Sequence, residues 1–165
     1  MPLKTSKPPT FQPLWKAASH CSEDALREIT AQLAAEIQLG DRLLFEGPMG
    51  AGKTTFVRHL LSQLNVVQPP EGSPSFALAH EYHSSRGDII HIDFYRLKSE
   101  MEIEEAGLLA YYWERKAIVI SEWLGSWPDL ELQVLRSGRA WKISLAFCAD
   151  TDGENLRDIR IELLN

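Results

Sequence analysis

The sequence predicts one α/β domain whose central sheet is partly parallel and carries antiparallel strands at an edge. Three observations support this prediction. A glycine-rich loop stands between a short apolar strand and an amphipathic helix. The apolar runs at 89–93 and 117–121 have the composition of buried parallel strands. The stretches 141–147 and 159–163 alternate between apolar and polar residues, as antiparallel strands with one buried face do.

The N-terminal segment is rich in proline and poor in apolar residues. Four of the first 13 residues are proline (Pro2, Pro8, Pro9 and Pro13). Such a composition buries too little apolar surface to fix a structure. We therefore predict a flexible leader over residues 1–18 and a single folded domain over residues 19–165, a length sufficient for one hydrophobic core.

A helix is predicted to begin after Ser22. Serine is a favourable N-cap residue, and Glu23 and Asp24 suit the positive end of the helix dipole. Gly40 is expected to end the helix. Its buried stripe would consist of Leu26, Ile29, Leu33 and Ile37.

Residues 47–54 read GPMGAGKT and match the phosphate-binding loop pattern G-x-x-x-x-G-K-[ST]. The apolar strand 42–46 precedes the loop, and apolar residues at helical spacing follow it. A glycine-rich turn with an incidental lysine is the alternative, but strand, loop and helix together form the context in which this pattern binds phosphate. We predict a P-loop NTPase-like three-layer fold for residues 19–165 that binds a nucleoside triphosphate with Mg²⁺.

Each type of residue in such a loop has its own role in binding the phosphates or Mg²⁺. Successive backbone N–H groups surround the β-phosphate, Lys53 contacts the β- and γ-phosphates, and the Thr54 hydroxyl binds Mg²⁺. The predicted nucleotide-binding residues are Met49, Gly50, Ala51, Gly52, Lys53, Thr54 and Thr55.

The elements after the loop helix are predicted from turns and apolar runs. Residues 65–75 hold three prolines and are expected to be irregular. Strands at 76–82 and 89–93 form a hairpin, a solvated helix covers 98–105, and a buried strand covers 117–121.

Two carboxylates follow buried strands and are candidates for the Mg²⁺ shell. Asp93 ends the run IIHID and Glu122 ends the run AIVISE. The carboxyl ends of parallel strands meet at one sheet edge, where ligands bind, although surface carboxylates also follow strands. His91 shares a strand face with Asp93, so it either positions a water or makes a core hydrogen bond. Arg96 is an active-site cation or a structural anchor.

The net charge, the lengths of the apolar runs and the cysteine pattern argue against several classes of protein. A net charge of −6 argues against a dedicated DNA or RNA binder, and no apolar run has the length of a membrane span. Cys21 and Cys148 form no C-x-x-C pattern. We predict a cytoplasmic protein with two reduced, structural cysteines and no metal site at them.

Four runs in order resemble the TsaE (YjeE) family of small bacterial ATPases: LLFEGPMGAGKTTFVRHL, SPSFAL, HIDFYRL and IVISEWLG. The similarity covers about residues 20–125. It implies an ATPase that hydrolyses ATP slowly and supports threonylcarbamoylation of adenosine 37 in tRNA. It also implies a TsaD/TsaB-type transferase dimer as partner, with tRNA contacted only indirectly.

The resemblance also implies roles for individual residues. Lys53, Asp93 and Glu122 would be catalytic, with Asp93 near the γ-phosphate and Glu122 joining Thr54 as a Mg²⁺ ligand. Both Mg²⁺ and ATP are therefore expected at this site.

The remaining implied roles lie around the phosphate site. Ser75 would belong to a switch segment that orders with ATP, Trp123 would report on the site, and Glu23 would border the base. The family usually has threonine where Ser75 stands and other residues at Pro48-Met49, and the stretch LGSWPDLE after Trp123 is atypical.

Two other P-loop classes are alternatives to this family. A small-molecule kinase is the alternative function, but the stretch 94–116 where a kinase lid would lie has only Arg96 and Arg115 as arginines. A regulatory GTPase would need an Asn-Lys-x-Asp segment, which the sequence lacks.

Overall fold

A computed structural model describes residues 11–67, 72–74, 76–148 and 156–164. The strands are β1 Phe11–Cys21, β2 Arg42–Glu46, β3 Ala79–Ser84, β4 Gly87–Asp93, β5 Ile118–Glu122, β6 Ala140–Phe147 and β7 Arg157–Leu164. The helices are α1 Glu23–Glu36, α2 Lys53–Gln63, α3 Glu100–Glu105, α4 Ala110–Trp113 and α5 Pro128–Arg136, with a 3₁₀ turn at Leu124–Ser126. No helix within these ranges has the length and hydrophobicity of a membrane-spanning segment.

The described strands form one sheet in the order β1-β7-β6-β2-β5-β4-β3. Strands β6, β2, β5 and β4 are parallel to one another. Antiparallel strands flank them, with β7 and β1 on one side and β3 on the other. This arrangement confirms the predicted partly parallel sheet with antiparallel edges.

Helices cover both faces of the sheet and complete three layers. Side chains of β2 alternate between the faces: Leu43 and Phe45 pack with α1 and α2, whereas Leu44 packs with α3, α4 and α5. Because the central strands are buried on both faces, they read as continuous apolar runs in the sequence.

The leader predicted over residues 1–18 is wrong for residues 11–18, which belong to β1. This strand pairs antiparallel with β7 along the sheet edge. Trp15 packs edge to face on the buried Trp141, with ring centroids 5.6 Å apart. Register shifts interrupt β1 and disrupt the regular alternation of inward and outward side chains. This alternation is the pattern by which a strand is recognised in a sequence. Residues 1–10 lie outside the described part of the chain.

Other elements also differ from the sequence-based expectation. Helix α1 ends at Glu36, well before Gly40. Strand β3 begins at Ala79, because Leu78 adopts a left-handed conformation with φ of +63° and its carbonyl accepts a hydrogen bond from the Asp93 N–H. Helix α5 was not predicted, although Pro128 opens it and apolar residues recur at helical spacing within it.

Candidate functional site

The glycine loop after β2 has a backbone that larger residues do not fit. Gly47 has a φ of +132°, and a Cβ atom there would lie 2.2 Å from the carbonyl oxygen of Leu145 in β6. Gly52 has a φ of +97° and precedes α2, whose first N–H groups have no side-chain cap. These N–H groups and the helix dipole therefore form an anion-binding concavity.

Lys53 lies inside this loop and is almost fully buried. Its Nζ donates hydrogen bonds to the carbonyl oxygens of Gly47, at 2.7 Å, and Pro48, at 2.9 Å. The same nitrogen lies 4.1 Å from the ring centroid of Trp123. Burial lowers the pKa of Lys53, and the charges of Glu122 and Asp93 act in the opposite direction. The ammonium group is thus held where a phosphate bound by the loop would meet it.

Two carboxylates lie at the carboxyl edge of the parallel strands, as the sequence predicts. Asp93 and Glu122 are direct neighbours in the β4–β5 register, and both are buried. The Thr54 hydroxyl oxygen lies 3.5 Å from Glu122 Oε1 and 3.4 Å from Oε2. Hydroxyl and carboxylate oxygens are ligands that Mg²⁺ accepts, and these are close enough to reach one ion.

His91 orients the Glu122 carboxylate from the neighbouring strand. Its Nε2 lies 2.9 Å from Glu122 Oε1, and both side chains are buried. A carboxylate accepts hydrogen bonds, so this contact is a hydrogen bond to Glu122 in the tautomer that carries its proton on Nε2. Within the described part of the chain, His91 Nδ1 has no hydrogen-bond partner. Of the two predicted possibilities for His91, the geometry favours a hydrogen bond in the core that also serves the site.

Asp93 connects the site to the segment before β3. Its Oδ2 accepts a hydrogen bond of 2.5 Å from the Ser73 hydroxyl, and its Oδ1 accepts one of 2.9 Å from the Tyr95 N–H. Both Ser73 and Tyr95 line the cleft that holds Lys53 and Thr54. Ser75, predicted as the switch residue, lies outside the described residues.

Trp123 follows Glu122 in a left-handed conformation with φ of +65°. Such a conformation costs a bulky residue about 1–3 kcal/mol and persists only where the surroundings impose it. The Phe94 N–H donates to the Glu122 carbonyl at 3.0 Å. The Trp123 ring contacts the Lys53 ammonium and also the ring of Tyr95, whose centroid is 5.0 Å away.

A second cleft adjoins the first and shares Gly52 and Thr55 with it. Its lining residues are Cys21, Ser22, Glu23, Leu26, Ala51, Gly52, Thr55, Leu145, Arg157 and Ile159. Glu23, expected beside the base, therefore lines a cleft next to the loop. Its carboxylate also contacts His59 Nε2 at 3.1 Å.

Sequence reasoning missed Arg157. This side chain reaches from β7 to the loop, where it donates to the carbonyl oxygens of Ala51, at 3.2 Å, and Gly50, at 3.3 Å. No motif surrounds it in the sequence. Tyr95 and Ser73, by contrast, lie inside the runs HIDFYRL and SPSFAL, so their position beside Asp93 was a signal that could have found them.

Two predicted residues lie at the rim or outside the site. Met49 lines the first cleft and is 61% exposed. Arg96 lines neither cleft; its guanidinium lies 4.0 Å from the ring centroid of Phe76.

Comparison with known proteins identifies the family. The model of the family described as "Threonylcarbamoyl adenosine biosynthesis protein TsaE" matches residues 20–151. A protein of Aquifex aeolicus is 36% identical over 98 residues, which cover 58% of this chain and 74% of that relative. One of Bacillus subtilis is 31% identical over 109 residues, covering 66% of this chain and 65% of the relative. A Rickettsia conorii protein is 37% identical over 86 residues, covering 52% and 49%.

All three relatives are named "tRNA threonylcarbamoyladenosine biosynthesis protein TsaE", and the matched regions span from about half to three quarters of their lengths. The fold has a counterpart in the crystal structure of Bacillus subtilis YdiB. The TM-score is 0.66 at 22% identity, and the alignment covers 91% of this chain and 86% of that one. This likeness supports the three-layer fold. Because the family model spans most of the sequence, the chain belongs to the TsaE family of threonylcarbamoyladenosine biosynthesis proteins, as its motifs predicted.

Proposed function

We propose that this chain binds ATP with Mg²⁺ and hydrolyses it slowly, in support of threonylcarbamoylation of adenosine 37 in tRNA. The observation that carries the proposal is the convergence of Lys53, Thr54 and Glu122 at one glycine loop. These residues would supply a phosphate-binding cation and two Mg²⁺ ligands, from the start of α2 and the end of β5.

The Mg²⁺ ion would be held on the protein side by Thr54 and Glu122. When bound, it would neutralise negative charge on the β- and γ-phosphates. His91 keeps Glu122 in place through its 2.9 Å hydrogen bond. Lys53 would exchange its loop carbonyl partners for phosphate oxygens, since an ammonium group binds an anion more strongly than a neutral carbonyl.

Asp93 is the proposed acceptor for a proton of the attacking water. A carboxylate needs a fixed orientation for this task, and the hydrogen bonds from Ser73 and Tyr95 supply it. Movement of the segment that carries Ser73 would therefore change the geometry of Asp93. This link supports a switch in which ATP and ADP favour different arrangements of that segment.

The proposal of slow ATP hydrolysis depends on which cationic side chains lie near the site. An arginine at the transition state contributes about 10³-fold or more to the rate of phosphoryl transfer. Among the described residues, the cleft that holds Lys53, Asp93 and Glu122 has no arginine in its lining. We therefore propose that a partner completes the site.

The family and the names of the relatives support the biological assignment. We propose a TsaD/TsaB-type transferase dimer as partner and the cytoplasm as the compartment. Contact with tRNA would be indirect, because a net charge of −6 disfavours binding to a phosphate backbone.

The test measures ATP turnover by the full chain with and without the partner transferase dimer, recording ADP and inorganic phosphate separately. We expect slow, Mg²⁺-dependent release of both products in equal amounts and an increase when the partners are added. Rapid turnover that ignores the partners would refute the partner-completed site. ADP formed without inorganic phosphate, with the phosphoryl group transferred to an added small-molecule acceptor, would favour the alternative, a small-molecule kinase.

The roles of the two carboxylates are separated by a pair of variants. Glu122→Gln should raise the Mg²⁺ concentration for half-maximal turnover by on the order of 10-fold or more, whereas Asp93→Asn should chiefly lower the maximal rate. Glu46→Gln is the matched control, because Glu46 also ends a parallel strand but pairs with Lys142 at 2.7 Å. The reverse ranking of the first two variants would exchange their assigned roles.

A further inference from the structure

A second group of ligand-type side chains lies near the glycine loop, where β1 and β6 end and β7 begins. It consists of His20, Cys148 and Asp158, whose ligand atoms all lie within 4.8 Å of one another. The strand order β1-β7-β6 brings these residues together from positions far apart in the sequence. The sequence-based expectation treated Cys148 as a structural thiol without ligand function.

The backbone of β1 directs His20 toward this group. The β1–β7 register shifts between Ala18, which pairs with Ile159, and Cys21, which pairs with Arg157. His20 lies in the resulting irregularity with a φ of +55°. Bulges of this kind re-aim a side chain at a sheet edge, and a positive φ at a non-glycine residue carries a conformational cost.

Existing hydrogen bonds already organise the group around one oxygen atom. Asp158 Oδ1 accepts from the Cys148 thiol, at 3.2 Å, and from the His20 backbone N–H, at 3.1 Å. The His20 side chain is exposed, and those of Cys148 and Asp158 are half-buried, so an ion from solvent can reach all three.

We propose that His20, Cys148 and Asp158 form a binding site for Zn²⁺ or a similar transition-metal ion, with water as the fourth ligand. One imidazole nitrogen, one thiolate and one carboxylate make a donor set that Zn²⁺ accepts in tetrahedral geometry. Mg²⁺ prefers six oxygen ligands and does not suit a thiolate. On binding, the Cys148 thiol loses its proton to solvent, and its sulfur bonds to the metal instead of donating to Asp158.

The site is independent of the proposed ATPase function, yet it lies close to the loop. Arg157, which precedes Asp158, contacts the carbonyl oxygens of Gly50 and Ala51. An ion at this position would cross-link the ends of three strands next to that contact. Because it binds the folded chain and finds no preformed site in the unfolded one, it should raise thermal stability.

The test titrates Co²⁺ and then Zn²⁺ into the reduced full chain, with Mg²⁺ in excess to occupy oxygen-only sites. We expect a cobalt–thiolate charge-transfer absorption that Zn²⁺ abolishes and Mg²⁺ leaves unchanged, together with a rise in melting temperature on Zn²⁺ addition. Cys148→Ser should remove the absorption. His20→Ala and Asp158→Asn should each weaken Zn²⁺ binding by on the order of 10-fold or more.

The matched control is His83→Ala. His83 forms a pair with Asp88 at 2.8 Å on an exposed hairpin at the opposite edge of the sheet, without a thiol. This variant should bind Co²⁺ and Zn²⁺ like the parent protein. The proposal is overturned if no thiolate absorption develops, or if the absorption persists in Cys148→Ser and is lost in Cys21→Ser.

Discussion

Replacing His91 by leucine tests how the buried Glu122 carboxylate is maintained. The His91 and Glu122 side chains are 1% and 3% exposed, and one hydrogen bond of 2.9 Å joins them. Leucine fills similar space but donates no proton. The carboxylate would then keep only the Thr54 hydroxyl, at 3.4–3.5 Å, as a neighbour among the contacts described above.

The magnitude follows from the loss of one buried hydrogen bond to a charged group. Such a bond contributes about 1.5–3 kcal/mol, so the equilibrium constant for unfolding should rise by roughly 10- to 150-fold. Glu122 would also lose its fixed orientation. Removal of a group that orients a metal ligand typically costs about 10- to 100-fold in metal affinity, and we expect a corresponding rise in the Mg²⁺ concentration needed for ATP turnover.

The assay combines urea unfolding without nucleotide and Mg²⁺ titration of ATP turnover. His91→Gln is the rescue variant, because its amide can still donate to Glu122, and it should recover part of both losses. His80→Leu is the matched control. His80 pairs with His91 across β3 and β4 but hydrogen-bonds Tyr82, at 3.3 Å, instead of Glu122. If His91→Leu unfolds within about 0.5 kcal/mol of the parent protein and keeps its Mg²⁺ dependence, His91 does not position Glu122.

Three further perturbations probe the loop. Gly47→Ala should destabilise the protein by about 3 kcal/mol or more, because its Cβ would clash with the Leu145 carbonyl, whereas Gly138→Ala has no atom within 4 Å to meet and should be tolerated in the same unfolding assay. ATP binding should change Trp123 fluorescence as Lys53 leaves the ring, and Trp123→Phe should lose that change while other tryptophans still emit. Burial lowers the folded-state pKa of Lys53, so the unfolded chain binds more protons in the interval between the two pKa values and stability should rise with pH there. In unfolding titrations at alkaline pH, Lys53→Met should abolish that rise in stability, and at neutral pH the variant should unfold no more easily than the parent protein. Calorimetry should detect no ATP binding to Lys53→Met. A variant that retains ATP binding would contradict the role of Lys53.

The parts of the fold that the sequence predicts are those whose patterns lie within a short stretch of consecutive residues. Strand β2, the glycine loop and α2 follow one another in the chain, so their sequence patterns are recognised together. The apolar runs of β4 and β5 indicate strands that are buried on both faces. Because the carboxyl ends of parallel strands meet at one edge, the sequence predicts Asp93 near Glu122, and the β4–β5 register confirms that they are neighbours.

The parts that were missed depend on strand order or on interrupted patterns. Strand β1 was assigned to a leader because register shifts break its alternation. Arg157 reaches the loop only because β7 pairs with β6, and β6 lies beside β2. His20, Cys148 and Asp158 meet for the same reason, and no local spacing in the sequence indicates which strands will be neighbours.

Burial of charge distinguishes the site from the structural core. Asp41 is buried with good partners, since it accepts from Trp141 Nε1 at 2.8 Å and from the Gln38 N–H at 3.0 Å. Lys53 and Glu122 are also buried, but Lys53 donates to neutral loop carbonyls. Glu122 is hydrogen-bonded to His91 at 2.9 Å, and the Thr54 hydroxyl lies 3.4–3.5 Å away, longer than an ordinary hydrogen bond. Burying a charged group costs free energy, and a partner of opposite charge offsets this cost more fully than a neutral partner does. Under the proposed function, phosphate would add an anionic partner for Lys53 and Mg²⁺ a cationic partner for Glu122, and this supports the proposal that the loop and its carboxylates form one nucleotide site.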